Sequence, residues 1–180
     1  MNKTIRNHSQ IEKIARYGEW ISLFGILLVG GYSFFLAVRP EEAIAVLQRG
    51  IPGPLTLPSD ELLVLAGAVA MLPALLFIYT LWRAHSLFGL IGSGLFLSET
   101  SQWLMVHLGK LAIIFAVLGI ITHTLVVLIM TSANPPGQKM LLIEIDSSTF
   151  SSIIVAVLLF TFSLVMKETT RIFEENKSFI

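Results

Sequence analysis

Apolar residues along this chain fall into four blocks separated by polar connections. Trp20 to Val38, Leu62 to Trp82 and Leu111 to Met130 contain no Asp, Glu, Lys or Arg, and each is close to the roughly 20 residues that cross a hydrocarbon core as a helix. Phe150 to Met166 is shorter and carries Ser151, Ser152, Thr161 and Ser163, which puts it at the short end of the same range. The pattern predicts an all-α integral membrane protein with a single membrane domain. Its four transmembrane helices form a four-helix bundle with spans at about 20–38, 62–82, 111–130 and 150–166. Loops at 39–61 and 131–149 then lie on one side, and a connection at 83–110 and a tail at 167–180 on the other. The first run is longer than a signal-peptide core and has no convincing small-x-small cleavage site after it, so it reads as an uncleaved anchor.

The connections carry their own signals. Pro40 suits the first turn of a short amphipathic helix through Gln48, ended by Gly50 and the prolines beyond it. Asn134 to Gly137 reads as a turn, and "MLLIEI" after it as a short strand with which "PLTLP" could pair. In the middle connection, Leu87, Phe88, Leu90, Ile91, Leu95 and Phe96 stand among glycines and suggest an interfacial shelf. Ser98 is a candidate N-cap, with Glu99 in the first turn of a continuous helix from Glu99 to Met130. That helix would be about 48 Å long, so about its first ten residues protrude from the membrane or lie on its face. The fourth span continues as a tail helix to about Glu175, supported by Glu168–Arg171 and by Arg171 with Glu174 and Glu175 at helical spacing. Ile172 and Phe173 add an apolar strip to it.

Charge gives these segments sides. Lys3, Arg6, Lys13 and Arg16 precede the first span, Arg83 and Lys110 lie in the middle connection, and Lys167, Arg171 and Lys177 in the tail. Only Arg39, Arg49 and Lys139 fall in the other two loops. The positive-inside rule then places both termini and the middle connection in the cytoplasm, and Trp20 and Trp82 fit an aromatic belt at that face. Overall, 54% of residues are hydrophobic and 13% charged, with 12 basic and 12 acidic side chains. A net charge of zero provides no field for direct nucleic-acid binding. The chain has no cysteine, which excludes disulfides, thiolate chemistry and iron–sulfur clusters.

Candidate chemistry inside the spans is sparse. His123 is the one span residue that would titrate near neutral pH, and an intramembrane ionisable group carries a functional hypothesis by default. It shares a helical face with Ala112, Ala116 and Gly119, and small residues mark helix contacts in lipid. Helical rise puts it near the depth of Tyr32, Ala70 and Ala156, with Tyr32 its expected hydrogen-bond partner. The alternatives for His123 are a structural hydrogen bond, a haem or metal ligand, and a proton sensor. Ala66, Ala70 and Ala74, and Ser152 with Ala156, read as packing faces within the bundle or between protomers of a homo-oligomer. His107 is too far along the helix to join His123, and His8 and His85 are expected to be solvated. Glu41, Glu42, Asp60, Glu61, Glu144 and Asp146 read as solvated carboxylates. No nucleophile elbow, P-loop or dinucleotide fingerprint occurs, so no enzyme activity, catalytic residue or cofactor is expected.

Leu87-Phe88, the run Gly94-Leu95-Phe96-Leu97-Ser98-Glu99, and Gly109 resemble the central pattern of a family of small bacterial four-span membrane proteins catalogued as domain of unknown function 2975. Glu168, Arg171, Ile172, Glu174, Glu175, Asn176 and Ile180 resemble its ending. Ile91, Thr100 and Thr169 depart from it, standing where the family usually has tyrosine, asparagine and glycine. The resemblance implies an inner-membrane protein often encoded beside a small helix-turn-helix regulator, and it implies no catalytic residue. The function expected is therefore regulatory or scaffolding. A soluble partner would be held through Phe96, Glu99, Glu168, Arg171, Ile172, Phe173, Glu174 and Glu175. The alternative is a redox or ligand-binding membrane subunit that uses His123.

Overall fold

In the computed structural model, residues 2–53, 55–145 and 147–177 are described, with side chains from residue 10 to 172 apart from 54, 146 and 148. Five helices follow one another: α1 (Asn2–Val38), α2 (Pro40–Arg49), α3 (Asp60–Gly92), α4 (Glu99–Met130) and α5 (Ser147–Lys177). The four long ones contain stretches long and apolar enough to cross a membrane, at Gln10–Val38, Asp60–Gly92, Glu99–Met130 and Thr149–Ile172. Each long helix outruns its apolar block: α4, with 32 residues, is about 48 Å long at 1.5 Å per residue, against about 30 Å of hydrocarbon.

The middle connection differs from the expected shelf. α3 continues ten residues past Trp82 to Gly92, leaving only 93–98 for the turn into α4. Of the apolar positions expected to lie on a membrane face, Leu95 and Phe96 are exposed in the turn, while Leu87, Leu90 and Ile91 are helix core instead. Leu87 is buried with Leu104, Leu108 and Leu111, and Leu90 and Ile91 pack against that cluster. Their spacing of three and four residues gives α3 and α4 an apolar seam beyond the spans. Gly94, at φ +79°, supplies the left-handed residue that the tight turn needs.

The long helices lie in a row. α1 packs on α3, α3 on α4 and α4 on α5, while α1 and α5 make no extensive contact with each other among the described residues. The expected four-helix bundle is thus an open layer with α1 and α5 at its edges. Neighbours run antiparallel, because Gly18 faces Phe88 while Gly25 faces Leu81. On that register Trp20 and Trp82, both well exposed, lie about one helical turn apart in level, as an aromatic belt requires. The outward faces of α1 and α5 expose Phe24, Leu27, Phe34, Phe150, Phe162 and Leu164, a surface suited to lipid.

At the end opposite the α3–α4 turn, α2 folds back over α3 and α4. Leu47, Ile51 and Leu55 pack against buried Ala66, Val126 and Met130. The turn expected at Asn134–Gly137 is present, with Gly137 at φ +89°. Residues 138–145 then run extended along α4 without forming a strand. Thr124 Oγ1 donates to the Leu142 carbonyl at 3.1 Å, and the Met140 N–H donates to Thr131 Oγ1 at 3.2 Å. The alternation is strand-like, since Met140 and Leu142 are half-buried while Leu141, Ile143 and Ile145 are exposed. A partner strand is missing because Pro52 and Pro58 interrupt the other loop and donate no backbone hydrogen. Between the loops, the Thr56 N–H donates to Asn134 Oδ1 at 2.8 Å, and Gly53 lies against the Met140 side chain.

The α1–α3 contact makes a direct prediction. A Cβ at Gly18 would lie 2.5 Å from the Phe88 ring, whereas one at Gly31 would meet nothing within 4 Å. Gly18→Val is expected to destabilise by about 1–3 kcal/mol, seen as a Tm several degrees lower in detergent, while Gly31→Ala leaves Tm unchanged or higher.

Candidate functional site

Two places combine polar side chains with a shaped surface, one at each end of the layer. At the α3–α4 turn, Ser98 caps α4 by accepting from the Ser101 N–H at 3.2 Å, as its sequence position predicts. Ser101, fully buried, donates from Oγ to the Leu95 carbonyl at 2.9 Å and so closes the turn over the helix start. Gln102 then ties this turn to α5: its Nε2 donates to the Leu97 carbonyl at 3.2 Å and to Thr170 Oγ1 at 3.1 Å. Buried Ser163 donates to the Gln102 carbonyl at 3.4 Å. The turn and the far end of α5, 68 residues apart at Gln102 and Thr170, are one platform.

That platform carries most of the residues expected to hold a partner. Phe96 and Ile172 are 42% and 48% exposed. Glu99 is exposed at the start of α4. Arg171 Nη2 meets Glu168 Oε1 at 2.8 Å, an exposed pair worth about 0–1 kcal/mol that orients the guanidinium more than it stabilises the helix. α5 continues through Phe173, Glu174 and Glu175, but those side chains, like Asp146, Asn176 and Ile180, lie outside the described ones.

A cluster one step along the layer was not foreseen. Trp103 stacks on His107 with ring centroids 4.8 Å apart and planes at 9°, and His107 Nε2 is 3.4 Å from Tyr79 Oη. Arg83 Nε donates to Tyr79 Oη at 2.9 Å, with its guanidinium over the Tyr79 ring at 5.1 Å. The signal available was two pairs at four-residue spacing, Tyr79–Arg83 and Trp103–His107, on helices that face each other. His85 is only partly solvated: the residue is half-buried, and its Nδ1 is buried without a partner among the described residues.

At the other end, His123 has a different neighbourhood from the one expected. Tyr32 is exposed on α1, and α3 stands between α1 and α4, so Tyr32 is not its partner. Ala156 is not at its depth either, because Ala156 packs beside Gly109, about 21 Å further along α4 at 1.5 Å per residue. His123 instead lies level with Gly50 after α2 and with Thr149 in the first turn of α5, around a cavity of about 420 Å³. Its Nε2 is 3.6 Å from Glu144 Oε2 on the extended segment. Its Nδ1 is buried with no hydrogen-bond partner among the described residues. Ala70, expected at the same depth, does line this cavity, with Pro73, Phe115, Ala116 and Gly119. Small residues on facing helices were read as a contact, but here they leave a gap.

Four candidate membrane spans, a short helix folded over one end and a polar platform at the other define a multi-pass membrane protein. A family model described as "Protein of unknown function (DUF2975)" matches residues 54–180, and the chain belongs to that family. The match takes in α3, α4, α5 and the platform, together with the part of the His123 cavity that α3, α4 and the following segment line, but not its α2 side. Neither a curated protein nor a solved structure matches the chain.

The Gln102–Thr170 bridge can be checked by proteolysis. Gln102→Leu and Thr170→Val are each expected to speed trypsin cleavage at Lys167 and Arg171 several-fold in detergent-solubilised protein, with the helical circular dichroism unchanged.

Proposed function

We propose that this protein is a non-enzymatic regulatory or scaffolding component of the bacterial inner membrane, with both termini cytoplasmic. On this reading it holds a soluble partner on the platform formed by the α3–α4 turn and the end of α5. The observation that supports it is the bridge from Gln102 to Leu97 and Thr170. A solvated stub ending a membrane span needs no such tie. A platform that must present Phe96, Glu99, Glu168, Arg171 and Ile172 together does. The excess of Lys and Arg on the same side supports the cytoplasmic assignment, and the family resemblance suggests a small helix-turn-helix regulator as the partner.

Cross-linked affinity purification from native membranes tests this with three proteins: the full chain, the chain lacking Lys167 to Ile180, and Phe96→Asp with Ile172→Asp. The expected result is a helix-turn-helix protein recovered with the full chain and reduced at least about tenfold with both variants, since each loses apolar contact at the centre of the surface. Equal recovery in all three, with normal membrane insertion, would overturn the assignment of the platform.

A second reading has its own observation. The cavity beside His123 suits a ligand-binding role at the opposite end, and its chemistry can be taken further.

A further inference from the structure

The cavity between α2, α3 and α4 has about 420 Å³ of free volume, within the 300–1,000 Å³ typical of small-molecule sites. Its floor is apolar: Phe115 sits in a tilted pair with Phe77 at 5.7 Å, and Pro73, Ile120 and Val126 complete the wall. Space exists because the facing residues are small. A Cβ added at Gly119 would meet nothing within 4 Å, and Ala70, Ala116 and Gly50 add little bulk of their own. Pro73 contributes polarity as well as shape, since its missing N–H deprives the Val69 carbonyl of its intrahelical donor.

The polar groups at the mouth are mainly acceptors. Among the described residues, Glu144 is the one carboxylate lining the cavity, and neither Lys nor Arg lines it. Thr122 has its hydroxyl directed to the Leu118 carbonyl at 2.8 Å. His123 Nδ1 is sealed from solvent, so Nε2 is the atom the ring offers to Glu144 and Gly50. The 3.6 Å between Nε2 and Glu144 Oε2 is longer than an N–H···O hydrogen bond, about 2.7–3.2 Å. In the tautomer with the proton on Nδ1, Nε2 is an acceptor facing the same space as the Glu144 carboxylate. Arg49 lines the adjoining recess with Glu144, but no ion pair joins them.

From this we infer that the cavity is a binding site for a small amphipathic organic cation. Its protonated amine bridges Glu144 and His123 Nε2, and its apolar body lies over Phe115 and Pro73. One ammonium nitrogen can stand at hydrogen-bond distance from both acceptors. A neutral ligand of the same shape would forgo the charge-assisted contact with Glu144. A carboxylate ligand would meet Glu144 as a like charge. The site is independent of any partner held at the other end of the layer.

The test uses the full chain in lipid nanodiscs and calorimetric titration with phenethylamine, its neutral counterpart 2-phenylethanol, and 3-phenylpropionate. Phenethylamine is expected to bind saturably and at least about tenfold more tightly than either of the others, a single charge-assisted contact being enough for that ratio. Glu144→Gln should abolish the preference for the amine while leaving Tm unchanged, because Glu144 is exposed. Gly119→Leu should fill the cavity and remove binding of all three, with no clash to unfold the chain. Equal binding of amine and alcohol, preference for the carboxylate, amine binding that survives Glu144→Gln, or no binding of any probe would each overturn the proposal. The last outcome is the one expected if a lipid acyl chain occupies the space.

Discussion

The structure depends on how closely α4 can approach the helices on both sides of it. α4 is the helix with the most buried residues, and they lie on two faces. Leu104, Leu108 and Leu111 pack with Leu87 of α3, while on the α5 side Gly109 leaves so little room that a Cβ would lie 3.3 Å from the Phe160 ring and 3.4 Å from the Ala156 carbonyl. In lipid there is no hydrophobic drive to bring apolar helices together, so association rests on such close packing and on polar contacts between helices. Gln102 and Ser163 provide the polar part on the α5 side. Without α4 the layer would separate into an α1–α3 pair and a lone helix.

The same principle, run in reverse, accounts for the cavity. Where small residues on α4 meet a large side chain, as Gly109 meets Phe160, the helices touch. Where they meet other small residues, as Gly119 and Ala116 meet Ala70, they cannot. α2 covers this thin place with Val46 and Leu47, and the extended segment adds Glu144. The polar platform at the other end needs no such cover, because hydrogen bonds to backbone carbonyls, and not side-chain volume, hold it together.

Much of the fold could be read from the chain. The bounds of α4, the cap at Ser98, the short helix after Pro40 and the continuation of α5 past Met166 all follow from local signals: apolar runs, capping residues and proline. What failed was less local. Leu87, Leu90 and Ile91 look the same in sequence whether they lie on a membrane face or pack against Leu104 and Leu108, since only the position of α4 decides. "MLLIEI" has strand chemistry, yet a strand needs a partner, and the prolines of the loop before α3 deny it one there. The Tyr32–His123 pairing assumed a closed bundle in which depth along the helices decides proximity. In an open row, which helices are neighbours matters first, and one-dimensional counting does not contain that information. At the α3–α4 turn, the helix start at Glu99 and the helical setting of Glu168, Arg171 and Ile172 were legible, but Gln102 and Thr170, which join the turn to α5, carried no pattern.

The open row has a consequence for how the molecule is made. Each long helix packs extensively only on the long helix that precedes or follows it in the chain. A chain delivered N-terminus first into a bilayer therefore meets, at every step, a neighbour already in place. No helix must wait for a later one, and none must move aside to admit it. Assembly order and spatial order are the same list, so truncation after α4 leaves the α1–α3 and α3–α4 contacts intact.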